Sequence, residues 1–248
     1  MSLEISIAAE PLNIFGITAI TNSLFTTVFV SSLFIALAFA VSKIQLKQVP
    51  GGHTLQNILE VLFEGFLSFY ASIVGQKRAR LYFPLLTTVF FYILFSNWIG
   101  LLPGVGTILV PGFHNGHETM VPLLRAPTAD LNTTFALAII AFIFIQYEGL
   151  KALKANYLKK FFNFSSPIFT FVGLLEFLGE FTKVVSFAFR LFGNIFAGEV
   201  LLAVMSFLFP VILSIPFLGL EVFVGMIQAL VFVMLMLVFT ASATADHH

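Results

Sequence analysis

Long apolar runs separated by short clusters of charge set the plan of this chain. From about Leu24 to Val41 nearly every residue is apolar, and the run ends at Lys43 and Lys47 before VPGG. A second run extends from Tyr82 to Leu102, carries Asn97 and Trp98, and breaks at Pro103, Gly104 and Gly106. A third starts behind Asp130 and Asn132, residue types that cap helix N-termini, and continues to about Ile145. Such runs match the ~20 residues a helix needs to cross ~30 Å of hydrocarbon. Only helices or closed barrels satisfy their backbone in lipid, and unbroken apolar runs do not alternate as barrel strands do. The pattern predicts an all-α polytopic membrane protein.

Two segments depart from that pattern. Residues 54–75 place apolar side chains at helical spacing with Gln56, Asn57, Glu60 and Glu64 on the other face, which predicts an amphipathic helix along the inner interface. The stretch from Ile168 to about Phe209 is apolar for too long, and no proline interrupts it between Pro167 and Pro210. Some forty helical residues would reach ~60 Å. Either two helices meet at Gly193, or one helix tilts by roughly 60° from the membrane normal; the tilted helix is the favoured reading. A turn with Pro210, Pro216 and Gly219 then leads into a last helix, Leu220 to Phe239. The expectation is about five spanning helices plus the interfacial one in a single membrane domain. Residues 1–20 form an outer segment, 21–160 the first three spans with the interfacial helix, and 166–240 a long tilted hairpin.

Charge orients these elements. Lys43, Lys47, Lys77, Arg78, Arg80, Lys151, Lys154, Lys159 and Lys160 fall in three clusters that take the inner side, among 12 lysines and arginines in all. The N-terminus is then outside and the C-terminus inside. The loop up to Ala129 has Arg125 as its one strong base and belongs outside. Charged residues make up 10% of the chain against about a quarter in soluble domains, and zero net charge gives no reason to expect a nucleic-acid partner. Lack of cysteine excludes disulfides and thiolate metal sites. His114 and His117 have a ligand-like spacing but no further ligands, so they read as a solvated loop and no metal or cofactor is expected. The first residues lack a basic region and predict no cleaved leader.

The chemistry concentrates at 186–199, SFAFRLFGNIFAGE. Arg190 has no acid within five residues and is surrounded by Phe187, Phe189, Leu191, Phe192, Ile195 and Phe196. A guanidinium in hydrocarbon costs from ~3 to well over ~10 kcal/mol, so such residues mark ion pathways. At ~100° per residue, Glu176, Glu180, Lys183, Arg190 and Asn194 share one helical face, with Glu180 and Lys183 spaced to pair. Glu199 points to the other side. A turn near residue 210 brings Glu221 about level with Glu199, and Gln228 towards the level of Arg190. Acids towards each side with a fixed positive charge between them suit two half-paths. Plainer readings remain open here: Glu180 with Lys183 as a snorkelling pair, and Asn194 with Gln228 as packing between helices. A self-contained transporter or a structural subunit of a respiratory complex are the competing classes. Against the transporter, no paired repeats with broken helices are visible.

SFAFRLFGNIFAGEVLL closely resembles the signature of subunit a of F-type rotary ATP synthases. IQALVFVML at 227–235 and RAPTADLNTT at 125–134 resemble further segments of that family, in the family's order. The resemblance implies that Arg190 faces the carboxylates of a rotating c-ring. It implies that Asn194, Glu199, Glu221 and Gln228 belong to an outer half-channel, Glu176 with Glu180 to the inner one, and Asp130 to the outer entrance. It also implies a peripheral stalk subunit b and other synthase subunits as partners, and a bacterial plasma membrane ahead of an organelle inner or thylakoid membrane. No P-loop is present, so ATP chemistry is expected in another chain. One departure matters: many members pair a histidine with a glutamate where this chain has Glu199 and Glu221. Two acids so placed titrate as one coupled pair, which here implies a shared proton. Replacing Glu221 with histidine is therefore expected to leave ATP-driven acidification of inverted vesicles largely intact; its complete loss would contradict the shared-proton reading.

Overall fold

The structure, a computed structural model, describes residues 8–13, 20–43, 55–102, 104–114, 117–161, 166–208 and 214–245. Six helices are long and apolar enough to cross a membrane: α1 (Asn22–Ser42), α2 (Leu55–Val74), α3 (Gln76–Ile99), α4 (Leu131–Leu153), α6 (Pro167–Leu208) and α7 (Ser214–Ala243). A short helix α5 (Ala155–Phe161) lies between α4 and α6. The protein is an all-α polytopic membrane protein, as the apolar pattern requires. The proline-bearing turn at Pro210 lies outside the described residues, as do Lys47 and Pro103.

Local chemistry explains the boundaries. Thr21 caps α1, its hydroxyl accepting from the Leu24 amide at 3.3 Å. Gly75 alone separates α2 from α3, with a φ of 78° that an L side chain rarely adopts. Lys77, Arg78 and Arg80 therefore stand in the first turns of α3, six residues ahead of the expected start, because good helix formers follow the glycine without a breaker. Asp130 caps α4 as its residue type predicts, accepting from the Asn132 amide. The α4 helix continues past Ile145 because its polar turns find partners: Tyr82 donates its hydroxyl to Glu148 at 3.0 Å.

The long apolar stretch is one uninterrupted helix of 42 residues that runs straight through Gly193. That excludes the two-helix alternative and gives a rod of ~63 Å. The helix α7 begins at Ser214, so Pro216 and Gly219 lie inside it rather than in a turn. Proline in a first turn removes an amide that has no intrahelical acceptor to lose.

The loop between α3 and α4 holds structure that its composition conceals. Strands β1 (Leu109–His114) and β2 (His117–Pro122) pair antiparallel, with His114 opposite His117. The N-terminal segment joins them: Asn13 donates to the Pro111 carbonyl at 2.9 Å, and Phe113 donates to that of Pro11 at 3.0 Å. Gly112 is required there, since a Cβ would collide with the Val121 side chain and approach the Pro11 carbonyl.

The core forms where α3, α4, α6 and α7 meet, around Leu86, Ile93, Ile145, Leu191, Phe232 and Met236. The helix α1 buries side chains only near its start (Asn22, Ser23, Thr26 and Val30). The helix α2 packs one face on α3 through Phe66, whose ring lies 4.8 Å from that of Phe90, and through the fully buried Tyr70. Near the α4 terminus, Tyr157 of α5 presses onto Gly149, where a Cβ would come within 2.7 Å of its ring. Gly149→Val is expected to lift α5 away at a cost of about 1–3 kcal/mol. The readout is a lower melting temperature with faster tryptic cleavage at Lys154; unchanged values would show the contact to be dispensable.

Candidate functional site

The packed stripe of α6 consists of Gly173, Glu180, Phe187, Ala188, Leu191, Ile195 and Gly198. Arg190 and Asn194 lie beside this stripe and are exposed. Glu180 and Arg190, grouped on one face by helical periodicity, are ~80° apart around the axis, enough to put one inside the stripe and the other outside it. The Arg190 guanidinium donates to the Ser186 hydroxyl one turn earlier, at 3.2 Å. Among the described residues no carboxylate reaches ion-pair distance of it. Helical rise explains why: Glu180 and Glu199 stand about 15 and 14 Å away along the axis. The apolar side chains around it are open too, Phe189 being 51% exposed.

One turn further on, Asn194 donates to the Gln228 side-chain oxygen at 2.5 Å, which joins α6 to α7. Gln228 is buried, and its amide nitrogen has no partner among the described residues. The two helices are thus in the register expected from a turn near residue 210.

Towards the C-terminal end of α6, the buried Glu221 lies directly over Gly198, and a Cβ at that position would overlap its carboxylate. Glu199, the next residue, lines the same small pocket as Glu221, together with Asn97, Gly100, Leu101, Ala126 and Ile195. This pocket shares Gly100, Leu101, Ala126 and Glu199 with a wider cavity of about 360 Å³ bordered by Glu10, Asn22 and Arg125. The expectation that Glu199 and Glu221 come level is met. Two further groups fix the register of α7 beside Glu221. Asn97 donates to the Gly225 carbonyl at 2.9 Å and accepts from the Thr128 hydroxyl at 2.6 Å, while Trp98 donates to the Val222 carbonyl at 3.0 Å.

Sequence reasoning did not connect Arg125 to this cluster. Its guanidinium lies 3.6 Å from the Glu199 carboxylate. The signal was present, since Arg125 is the one strong base of the loop between α3 and α4, but no periodicity relates it to a residue 74 positions later. Asp130 sits elsewhere. It is buried, caps α4 and accepts from the Ser23 hydroxyl at 2.9 Å, and it lines a separate cleft of about 580 Å³ with residues of α1 and α4.

The N-terminal half of α6 holds a second polar group. Lys183 pairs with Glu180 at 2.6 Å, and its ammonium lies 4.9 Å from the centre of the Phe239 ring. Gln146 of α4 donates to the other Glu180 oxygen at 2.9 Å and accepts from the Tyr157 hydroxyl at 2.8 Å. Burial, with the Glu180 charge adding to it, pushes the Tyr157 phenol up to about 12, so it stays a donor at neutral pH. Glu176, one turn before Glu180, is half-buried. Glu148, which sequence reading passed over, is a buried acid shared by Tyr82 and Lys151. The chain thus carries a polar cluster at each end of α6 and an exposed guanidinium between them.

Comparison with known proteins bears on the chain as a whole. The family model described as ATP synthase A chain matches residues 23–241. An ATP synthase subunit a of Gloeobacter violaceus is 38% identical over 237 residues, covering 96% of this chain and 87% of its own length. One from Helicobacter hepaticus is 33% identical over 223 residues, covering 88% of each. With the match running from the start of α1 almost to the end of α7, the chain belongs to the ATP synthase A chain family.

Proposed function

We propose that this chain is the stationary proton-conducting subunit of an ATP synthase membrane sector, in which Arg190 separates two offset half-paths. The observation that carries the reading is the exposed Arg190, which no carboxylate among the described residues reaches. A guanidinium on an apolar surface calls for an anion from outside the chain, and an oligomeric c-ring with one carboxylate per subunit supplies it.

Protons enter from outside through the cavity of about 360 Å³ and reach Glu199 and Glu221 in the pocket behind it. The Asn194–Gln228 bridge is the next polar group towards the ring. A protonated ring carboxylate passes into lipid, whereas an ionised one is held near Arg190, because an unpaired charge in hydrocarbon is costly. Release to the inside is assigned to Glu176, with Glu180 keeping that end polar through Lys183 and Gln146. Asp130 acts on the outer entrance indirectly, by fixing the start of α4 next to the Arg125–Ala129 wall. Besides the ring, the partners are a peripheral stalk subunit b, the other synthase subunits and the bilayer. The N-terminus lies outside and the C-terminus inside, in a bacterial plasma membrane. Nucleotide chemistry belongs to other subunits.

Arg190→Ala is expected to abolish ATP-driven acidification of inverted vesicles while the assembly still copurifies. Persistent pumping would make the arginine structural and end this reading. Gly198→Ala is expected to displace the Glu221 carboxylate and reduce pumping severalfold, since overpacking of this kind costs about 1–3 kcal/mol. Gly65→Ala on α2, where a Cβ meets open space, serves as the control and should be neutral. Equal rates for the two alanine variants would argue against Glu221 as a relay.

A further inference from the structure

We propose that Arg125 is a positioning residue of the outer half-path, its charge holding the Glu199 carboxylate towards the cavity mouth. The inference rests on the reading above and adds a residue from outside the α6–α7 hairpin. Arg125 reaches four segments at once. Its guanidinium donates to the Ala8 carbonyl of the N-terminal segment at 2.8 Å and lies 3.5 Å from the Ala129 carbonyl. It also faces Glu199 of α6 at 3.6 Å, and its own amide donates to the Thr26 hydroxyl of α1 at 3.2 Å. A planar fork of donors used in several directions is fixed in place, which a mobile surface base is not. Its side chain is 11% exposed and that of Glu199 27%, so the pair is screened less than a surface ion pair.

The charge balance makes the base necessary. Glu199 shares its pocket with Glu221 of α7 and its cavity with Glu10 of the N-terminal segment. Arg125 is the base that borders this cavity and lies 3.6 Å from Glu199, and the cavity is lined, besides Glu10 and Glu199, by apolar and amide groups. Without it Glu199 loses its cationic neighbour and turns towards Glu221, and the handover from cavity to pocket fails.

The test compares Arg125→Gln, Arg125→Lys and Arg190→Ala in the whole assembly, reading ATP-driven acidification in inverted vesicles alongside copurification of the complex. Loss of one member of a half-buried charge pair predicts about a tenfold drop in Arg125→Gln. Lysine keeps the charge but not the fork, and is expected to retain at least about half of the wild-type rate. Arg125→Gln within about twofold of wild type would overturn the proposal. So would Arg125→Lys as slow as Arg125→Gln, or failure of either variant to assemble, since the residue would then be a structural tie. Pumping by Arg190→Ala would bring down the half-path reading itself. A silent Arg190→Ala beside a normal Arg125→Gln would remove this proposal alone.

Discussion

A permanent positive charge on an apolar helix face is the constraint from which the rest of this molecule follows. A guanidinium does not shed its proton as a buried lysine does, so burial cannot neutralise Arg190. Its neighbours are phenylalanines and leucines, and the nearest acids of its own helix are more than two turns away. The other charged side chains of α6 therefore stand to either side, Glu176, Glu180 and Lys183 before it and Glu199 after it, and the stretch around Arg190 keeps a single charge facing outward.

Holding the ends in register is the task of the packing. The α6–α7 contact combines close approach at Gly198 with the Asn194–Gln228 bridge, so the two helices cannot slide without breaking one of them. The helix α3 fastens the same level from the other side through Asn97 and Trp98, which bond to main-chain carbonyls of α7. A carbonyl inside a helix is already accepting one bond, and its second lone pair lets a side chain grip the helix without unwinding it. The N-terminal half of α6 is held by a different logic, a chain of side chains from Tyr157 through Gln146 to Glu180 and Lys183.

Much of this was legible from the residues. Apolar run length predicted the helices, and the absence of proline between Pro167 and Pro210 predicted the continuity of α6. The spacing of Glu180 and Lys183 predicted their pair, and counting back from the turn placed Glu221 and Gln228 opposite the right turns of α6. What stayed hidden has one common cause: it depends on contacts between distant segments. Arg125 and Glu199 are related by the packing of a loop on a helix, and no local period encodes that. Glu148 was passed over because the Tyr82 hydroxyl that reaches it comes from another helix. The β1–β2 pair was masked by Pro111 and Gly112, residues that argue against strands unless another backbone approaches as closely as the N-terminal segment does. Pro216 misled for the opposite reason, since the first turn of a helix accepts it.

The length of α6 has a consequence for where the membrane voltage falls. A rod of ~63 Å confined to ~30 Å of hydrocarbon lies at a slant of about 60° from the normal. Glu180 and Glu199 are about 28 Å apart along that rod, which becomes ~14 Å in depth and ~25 Å sideways. About half of the hydrocarbon depth then separates the two acids. A polar, high-dielectric approach to an acid carries little of a voltage drop, so a field across the molecule concentrates on the apolar step between them. The lateral offset, rather than the depth, is the larger separation between the two acids.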